Sequence, residues 1–248
     1  MTDMTEHPAS ADELLNAAGQ LSTGRINRLT HKGARYIVKS VERHASLLDR
    51  VQKGDPDKAF ARELALLKEF AAKGAPVPHV AASDATRIVM THSGETLSAM
   101  VTQGSISPQI LTQAGRALAR LHALGLAHGR PAIRDLCWDG AQITFIDLEA
   151  GAKLRATPRD QARDVILLLN SVFAMAPEHH HIAPHIWAGY QAGDSLGLCA
   201  RTRALARRLW WVQALAWPAS QLHRIKGKTR SEFRAVARTR AFLLQTRL

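Results

Sequence analysis

Cysteine is nearly absent. Cys137 and Cys199 stand far apart with no CxxC spacing, which excludes a disulfide framework or a cysteine-based zinc site and makes a reducing cytoplasm the expected setting. No apolar run approaches the roughly 18–20 residues that span a bilayer. The opening stretch, "MTDMTEHPASADELL", is acidic and has no basic region followed by an apolar one, so it does not read as a secretory signal. The expected location is cytoplasmic, or at most peripheral at the inner membrane face. Acidic residues are missing from one region in particular. Residues 201–248 hold 12 Lys/Arg against Glu232 alone, leaving 21 Lys/Arg against 20 acidic residues in the first 200. Nearly all of the net charge of +12 therefore belongs to the C-terminal fifth.

What is present describes an ordinary globular protein. With 248 residues, 46% apolar and 22% charged, the chain can bury one good-sized core or build two lobes. It shows no internal repeat.

Residues 1–10 are polar, and 12–16 can open a short helix. The run "GQLSTGRINRLTHKGARYIVKSV" predicts a strand near 25–31, a tight turn at Lys32–Gly33 and a second strand near 35–41. Phe60, Leu64, Leu67 and Phe70 then recur at helical spacing, with Asp55 or Asp57 as cap and Gly74 as stop. "VPHVAAS" and "RIVMTH" read as two short strands separated by Asp84. Ser107 and Pro108 open the clearest helix of the first half, with Ile110, Leu111, Ala114, Leu118 and Leu121 on one face. "DLCWDGAQITFIDLE" predicts a hairpin around Asp139–Gly140. "PRDQARDVILLLNSVFAM" is helical again, and the remainder is helical with breaks near Pro184, 193–197 and Pro218. This order predicts an α+β protein: a flexible segment 1–18, a small sheet lobe with one helix over 19–92, and a larger, mainly helical lobe over 93–248.

Three residues stand out against these patterns. Lys39 lies inside the second strand, where a lysine needs an anionic partner. Glu63, on the next helix, can supply one. Asp147 follows directly on the apolar strand "TFI" and breaks its pattern, and an unpaired buried carboxylate is costly. Ahead of it lies "HGRPAIRD", His128 to Asp135.

In this order the residues resemble the protein-kinase-like fold, a bilobal α+β architecture, over roughly residues 19–173. The shortness of the chain and the "LHALGLAHG…FIDLE" pattern are most similar to small bacterial lipopolysaccharide-core sugar kinases. The resemblance implies ATP and Mg²⁺ as cofactors and a phosphotransferase acting on a hydroxyl of a sugar or glycolipid, a small molecule or a protein. It implies that Lys39 holds phosphate and Glu63 orients Lys39. Asp147 matches the metal-binding aspartate and His128 the catalytic-loop histidine, while Asp135 stands at the metal-binding asparagine. Gly19 and Gly24 are the candidates for a degenerate glycine-rich loop. Met90 and His92, in the segment after the fifth strand of the fold, offer backbone groups to adenine. Asp164 resembles the aspartate that braces the catalytic loop. Two positions depart from the pattern: Arg130 occupies the catalytic aspartate position, and Glu149 stands where a glycine is usual.

Arg130 leaves a second reading open, a catalytically impaired nucleotide-binding regulatory protein. A third is a basic module for membrane or nucleic acid on a kinase-like scaffold. The 201–248 region carries that reading, with Leu205, Leu209, Val212 and Leu215 near one face and Trp210, Trp211 and Trp217 adding bulk. It is equally readable as a core helix with basic residues facing solvent, or as a surface for an anionic acceptor or membrane. Nucleic acid ranks lower, because no base-reading motif accompanies the charge. The histidine-rich "HHHIAPH", His179 to His185, reads as a solvated polar loop rather than a metal site.

Overall fold

The computed structural model describes residues 9–21, 24–41, 55–148, 151–212, 214–215, 217 and 232–245. The chain divides into two compact units. The first comprises Met1–Ala72 and Val77–Ser93, the second Lys73–Pro76 and Gly94–Leu248. Residues 73–76 join the second because the Phe145 amide donates to the carbonyl of Pro76 at 2.7 Å.

In the first unit, α1 (Ala11–Gly19) begins at a capping box in which Ser10 and Glu13 exchange backbone and side-chain hydrogen bonds. The expectation of a flexible segment 1–18 therefore fails for 11–18. Leu14 and Ala18 are buried against Leu29, Val38, Ala82 and Val89, and this apolar contact orders the helix. Strands β1 (Ile26–His31), β2 (Ala34–Ser40), β3 (Val80–Ser83) and β4 (Arg87–Thr91) form an antiparallel sheet of order β1-β2-β4-β3. Lys32 and Gly33, both at positive φ, make the two-residue turn that the right-handed strand twist favours.

Side-chain alternation assigns the two faces of β2. Val38 joins the α1 cluster, while Lys39 points the other way, toward α2 (Pro56–Ala72). Asp55 caps α2 by accepting the Asp57 amide. The buried stripe of α2 is Phe60, Glu63, Leu66, Leu67 and Phe70. It differs from the predicted stripe by one step, since Leu64 is only half-buried and Glu63 is inside.

The second unit opens with β5 (Glu95–Thr96), which pairs with the hairpin β6 (Leu136–Trp138) and β7 (Ile143–Phe145). The hairpin loop spans 139–142 rather than two residues, because the Asp139 carboxylate accepts the amides of both Ala141 and Gln142. A short helix, α3 (Leu97–Gln103), follows and is capped by Thr96. Helix α4 (Pro108–Ala123) starts at Ser107 as predicted.

Helices α5 (Pro158–Phe173), α6 (Ala183–Gly193), α7 (Leu198–Arg208) and α8 (Glu232–Gln245) complete the unit. Gly115 of α4 and Gly189 of α6 let the two backbones touch. A Cβ at Gly189 would lie 1.9 Å from the Thr112 carbonyl oxygen. The histidine-rich segment is a short 3₁₀ helix, Pro177–Ile182, instead of a loop. His180 stacks edge-on to Phe173 and its Nε2 lies 3.2 Å from the Met175 carbonyl, so it is tied into the fold. Among the described residues no three potential metal ligands cluster, and no helix is long and apolar enough to cross a membrane.

Candidate active site

The residues singled out by sequence fall into two groups, one in each unit. In the first unit, Lys39 Nζ lies 2.6 Å from Glu63 Oε1, joining β2 to α2. The two side chains are 12% and 7% exposed. Burial strengthens their attraction and makes either one costly without the other.

In the second unit the "HGRPAIRD" stretch is held from three sides. The Asp164 carboxylate of α5 accepts the backbone amides of His128 at 2.7 Å and of Gly129 at 3.0 Å. Gly129 has φ +93°, and a Cβ there would sit 2.3 Å from the Gly151 carbonyl carbon, so this position admits only glycine. The Ile133 amide donates to Ser171 Oγ, also on α5. Ile146 closes the third side: its amide donates to the Asp135 carbonyl at 2.8 Å, and its own carbonyl accepts from His128 Nε2 at 2.9 Å. A carbonyl can only accept, so the proton sits on Nε2. Ile146, the residue leading into Asp147, is thereby clasped through both its amide and its carbonyl.

Asp147 itself has φ +63°, a left-handed conformation uncommon outside glycine and best tolerated by Asp and Asn. Its side chain is exposed, not buried as the break in the "TFI" pattern predicted. The left-handed turn is what swings it out of the strand's alternation. Asp135 is the buried carboxylate of the pair, at 6% exposure. Its Oδ2 accepts the Ala132 amide at 3.0 Å. Burial pushes its pKa up; His128, Arg134 and the Ala132 amide pull it back, and the charge of Asp147 adds to the rise. Two neighbouring carboxylates offering hard oxygens suit Mg²⁺, which usually takes one or two carboxylates and completes its shell with water and phosphate. Arg130 is exposed.

Deeper in the same unit, His122 Nδ1 lies 2.7 Å from the Tyr190 hydroxyl and its Nε2 lies 3.5 Å from Asp164. Gln161 donates to the carbonyls of His122 and Leu126. Sequence reasoning found Asp164 but missed Gln161, Ser171, His122 and Tyr190. The available signal was a polar stripe, 161, 164 and 171, running within an otherwise apolar helix face. Cys137 and Cys199 are buried, and desolvation pushes their thiols up to about 11 and about 12, so neither is a nucleophile near neutral pH.

Other candidates are placed differently from expectation. Gly19 ends α1 instead of sitting in a loop between strands; its missing side chain makes room for the Arg87 guanidinium, which donates to the Leu15 carbonyl. Gly24 precedes β1 and its carbonyl accepts from the Asn27 side chain. The turn between β1 and β2 uses Gly33 instead. Met90 is buried within β4, paired with β2 and β3. The His92 amide donates to the Arg35 carbonyl, so it is not available to an adenine ring. Burial, with Arg35 and Arg28 nearby, lowers the basicity of the His92 ring. Glu149 lies outside the described residues.

Residues 17–247 match the family model described as APH, phosphotransferase enzyme family. The chain belongs to that family. With it the protein-kinase-like resemblance, read first from Lys39, Glu63 and Asp147, holds. A Haemophilus influenzae protein described as uncharacterized is 34% identical over 152 residues, 60% of this chain and 62% of that one. A probable bifunctional tRNA threonylcarbamoyladenosine biosynthesis protein of Haloquadratum walsbyi is 28% identical over 210 residues, 84% of this chain and 37% of that one. The chain thus spans less than two thirds of either relative. Among solved structures, the bifunctional kinase-methyltransferase WbdD is similar at 17% identity and a TM-score of 0.44, covering 68% of this chain and 42% of that one. WbdD in complex with a kinase inhibitor gives 16% identity, a TM-score of 0.48, and coverage of 73% and 46%.

Proposed function

We propose that this phosphotransferase-family protein moves the γ-phosphoryl group of ATP to an alcohol group, with Mg²⁺ held by Asp135 and Asp147. The observation that carries the reading is Asp147: a non-glycine residue at φ +63°, aimed outward, on a peptide clasped by His128 and Asp135. Backbone strain persists where surrounding structure over-determines it, and such places are commonly functional. Bound Mg²⁺ would neutralise charge on the phosphate oxygens. Lys39 holds phosphate charge, and Glu63 fixes the lysine.

Arg130 supplies no base. A loose phosphoryl-transfer transition state asks little early proton removal, and general-base help is worth roughly 10²–10⁴ in rate. In our reading the exposed guanidinium stabilises charge on the transferring group. The acceptor is open among sugars and glycolipids, small molecules and proteins.

The test is nucleotide binding and turnover by the purified chain with Mg-ATP, repeated with Asp147→Asn. Binding lost in the variant, together with transfer to one offered acceptor class, is the expected result. Failure of the unaltered protein to bind Mg-ATP would overturn the proposal. Arg130, standing where the family pattern carries aspartate, favours one second reading: a nucleotide-binding regulator. Tight binding without turnover, restored to turnover by Arg130→Asp, would select it.

A further inference from the structure

The C-terminal helices carry an unusual surface. Trp210 is 63% exposed, Trp211 49%, Leu215 72% and Trp217 62%. Just before them on α7, Arg201, Ala204, Arg207 and Arg208 are all exposed, and α7 contains no acidic residue. Arg201, Ala204 and Arg208 follow helical spacing, so the two arginines share one exposed side of α7. Two residues beside the tryptophans point elsewhere. Leu209 and Val212 line a cavity of about 600 Å³ among α5, α7 and α8, whose wall also includes Leu167, Leu205 and Leu243. Arg159 and Arg163, both exposed on the first turns of α5, stand at the same cavity. Among the described residues the one carboxylate there, Asp160, is bound to Lys153 at 2.7 Å.

We propose that this surface docks on an anionic lipid bilayer. Tryptophan favours the membrane interface, arginines there meet lipid phosphate, and both contribute together to peripheral attachment. Exposed leucine and an aliphatic cavity wall match acyl chains; they offer nothing to a nucleic acid, whose bases stack on aromatic faces. The proposal is independent of phosphotransfer, because vesicle binding requires no nucleotide.

The experiment uses the whole chain without ATP, with vesicles of phosphatidylcholine alone and of phosphatidylcholine mixed with phosphatidylglycerol. Co-sedimentation and tryptophan emission, with acyl-brominated lipid as quencher, report binding. The expected result is binding only to the mixed vesicles, quenching by brominated chains, and weakening in high salt. Arg207→Glu with Arg208→Glu should reduce affinity about tenfold or more. Trp210→Ser with Trp211→Ser should reduce it comparably, with circular dichroism unchanged in both variants. Three results would each overturn the proposal: no binding to mixed vesicles or equal binding to neutral ones, a concentration-dependent dimer that the tryptophan variant dissolves, or a single-stranded oligonucleotide that displaces the protein from mixed vesicles.

Discussion

His128 Nε2 lies 2.9 Å from the carbonyl oxygen of Ile146, the residue that precedes Asp147. The contact couples the loop bearing Arg130 and Asp135 to the loop bearing Asp147, so neither can shift alone. His128 is therefore a positioning residue in the proposed reaction. Its replacement by alanine should lower turnover or Mg²⁺ affinity roughly 10–100-fold, the usual scale for partners that orient metal-binding groups. A magnesium titration of the rate checks this, and an unchanged half-saturation and maximal rate would refute it.

Asp147 combines two properties that separate under mutation. Glycine relieves its left-handed backbone and alanine does not, so Asp147→Ala should be less stable than Asp147→Gly by roughly 1 kcal/mol, while both lose nucleotide turnover. Chemical denaturation of the two variants side by side measures the difference. Equal stabilities would mean that the loop relaxes out of the left-handed region.

Burial raises the pKa of Asp135 above the ordinary value of 3.8. Between that value and the raised one, the folded protein keeps a proton that the unfolded chain has lost, so stability falls as pH rises through this window. Asp135→Asn is spared the loss. The variant should melt higher than the unaltered protein near neutral pH, with the gap closing below the ordinary aspartate range. Mg-ATP should narrow it from the other side by stabilising only the unaltered protein. Thermal melts across pH, with and without Mg-ATP, decide the matter; a gap that widens toward acid would contradict the burial argument.

Breaking the Lys39–Glu63 pair leaves one charge in a site where water barely reaches. Lys39→Met or Glu63→Leu alone should cost roughly 3 kcal/mol, and the double variant should recover most of it. Activity should not return with stability, since the lysine charge is the proposed phosphate partner. A double-mutant cycle on unfolding free energy, read beside a nucleotide-binding assay, separates the two effects.

Much of this was legible in the residues. Local chemistry specifies the β1–β2 hairpin, the Ser107 cap and α5, and the spacing of Lys39, Glu63, Asp135 and Asp147 was enough to place each on its element. Three errors share one cause, contacts distant in sequence. α1 is ordered by a sheet face formed more than ten residues later. Glu63 replaces the predicted Leu64 in the buried stripe of α2, where its partner Lys39 lies 24 residues away in the chain. His92 loses its amide to Arg35, a strand pairing that no local pattern reveals. Asp147 failed for a different reason: alternation along a strand predicts burial only while the backbone remains extended, and the chain leaves that conformation at this residue.

The bond from Asp164 to the amides of His128 and Gly129 links positions 35 and 36 residues apart. The shape of the "HGRPAIRD" loop consequently depends on helix α5 being docked beside it. Hydrogen exchange offers a direct view: the amide protons of His128 and Gly129 should open together with α5 and exchange on its timescale, whatever their own distance from solvent. Competence of the loop is thus decided by a helix synthesised after it.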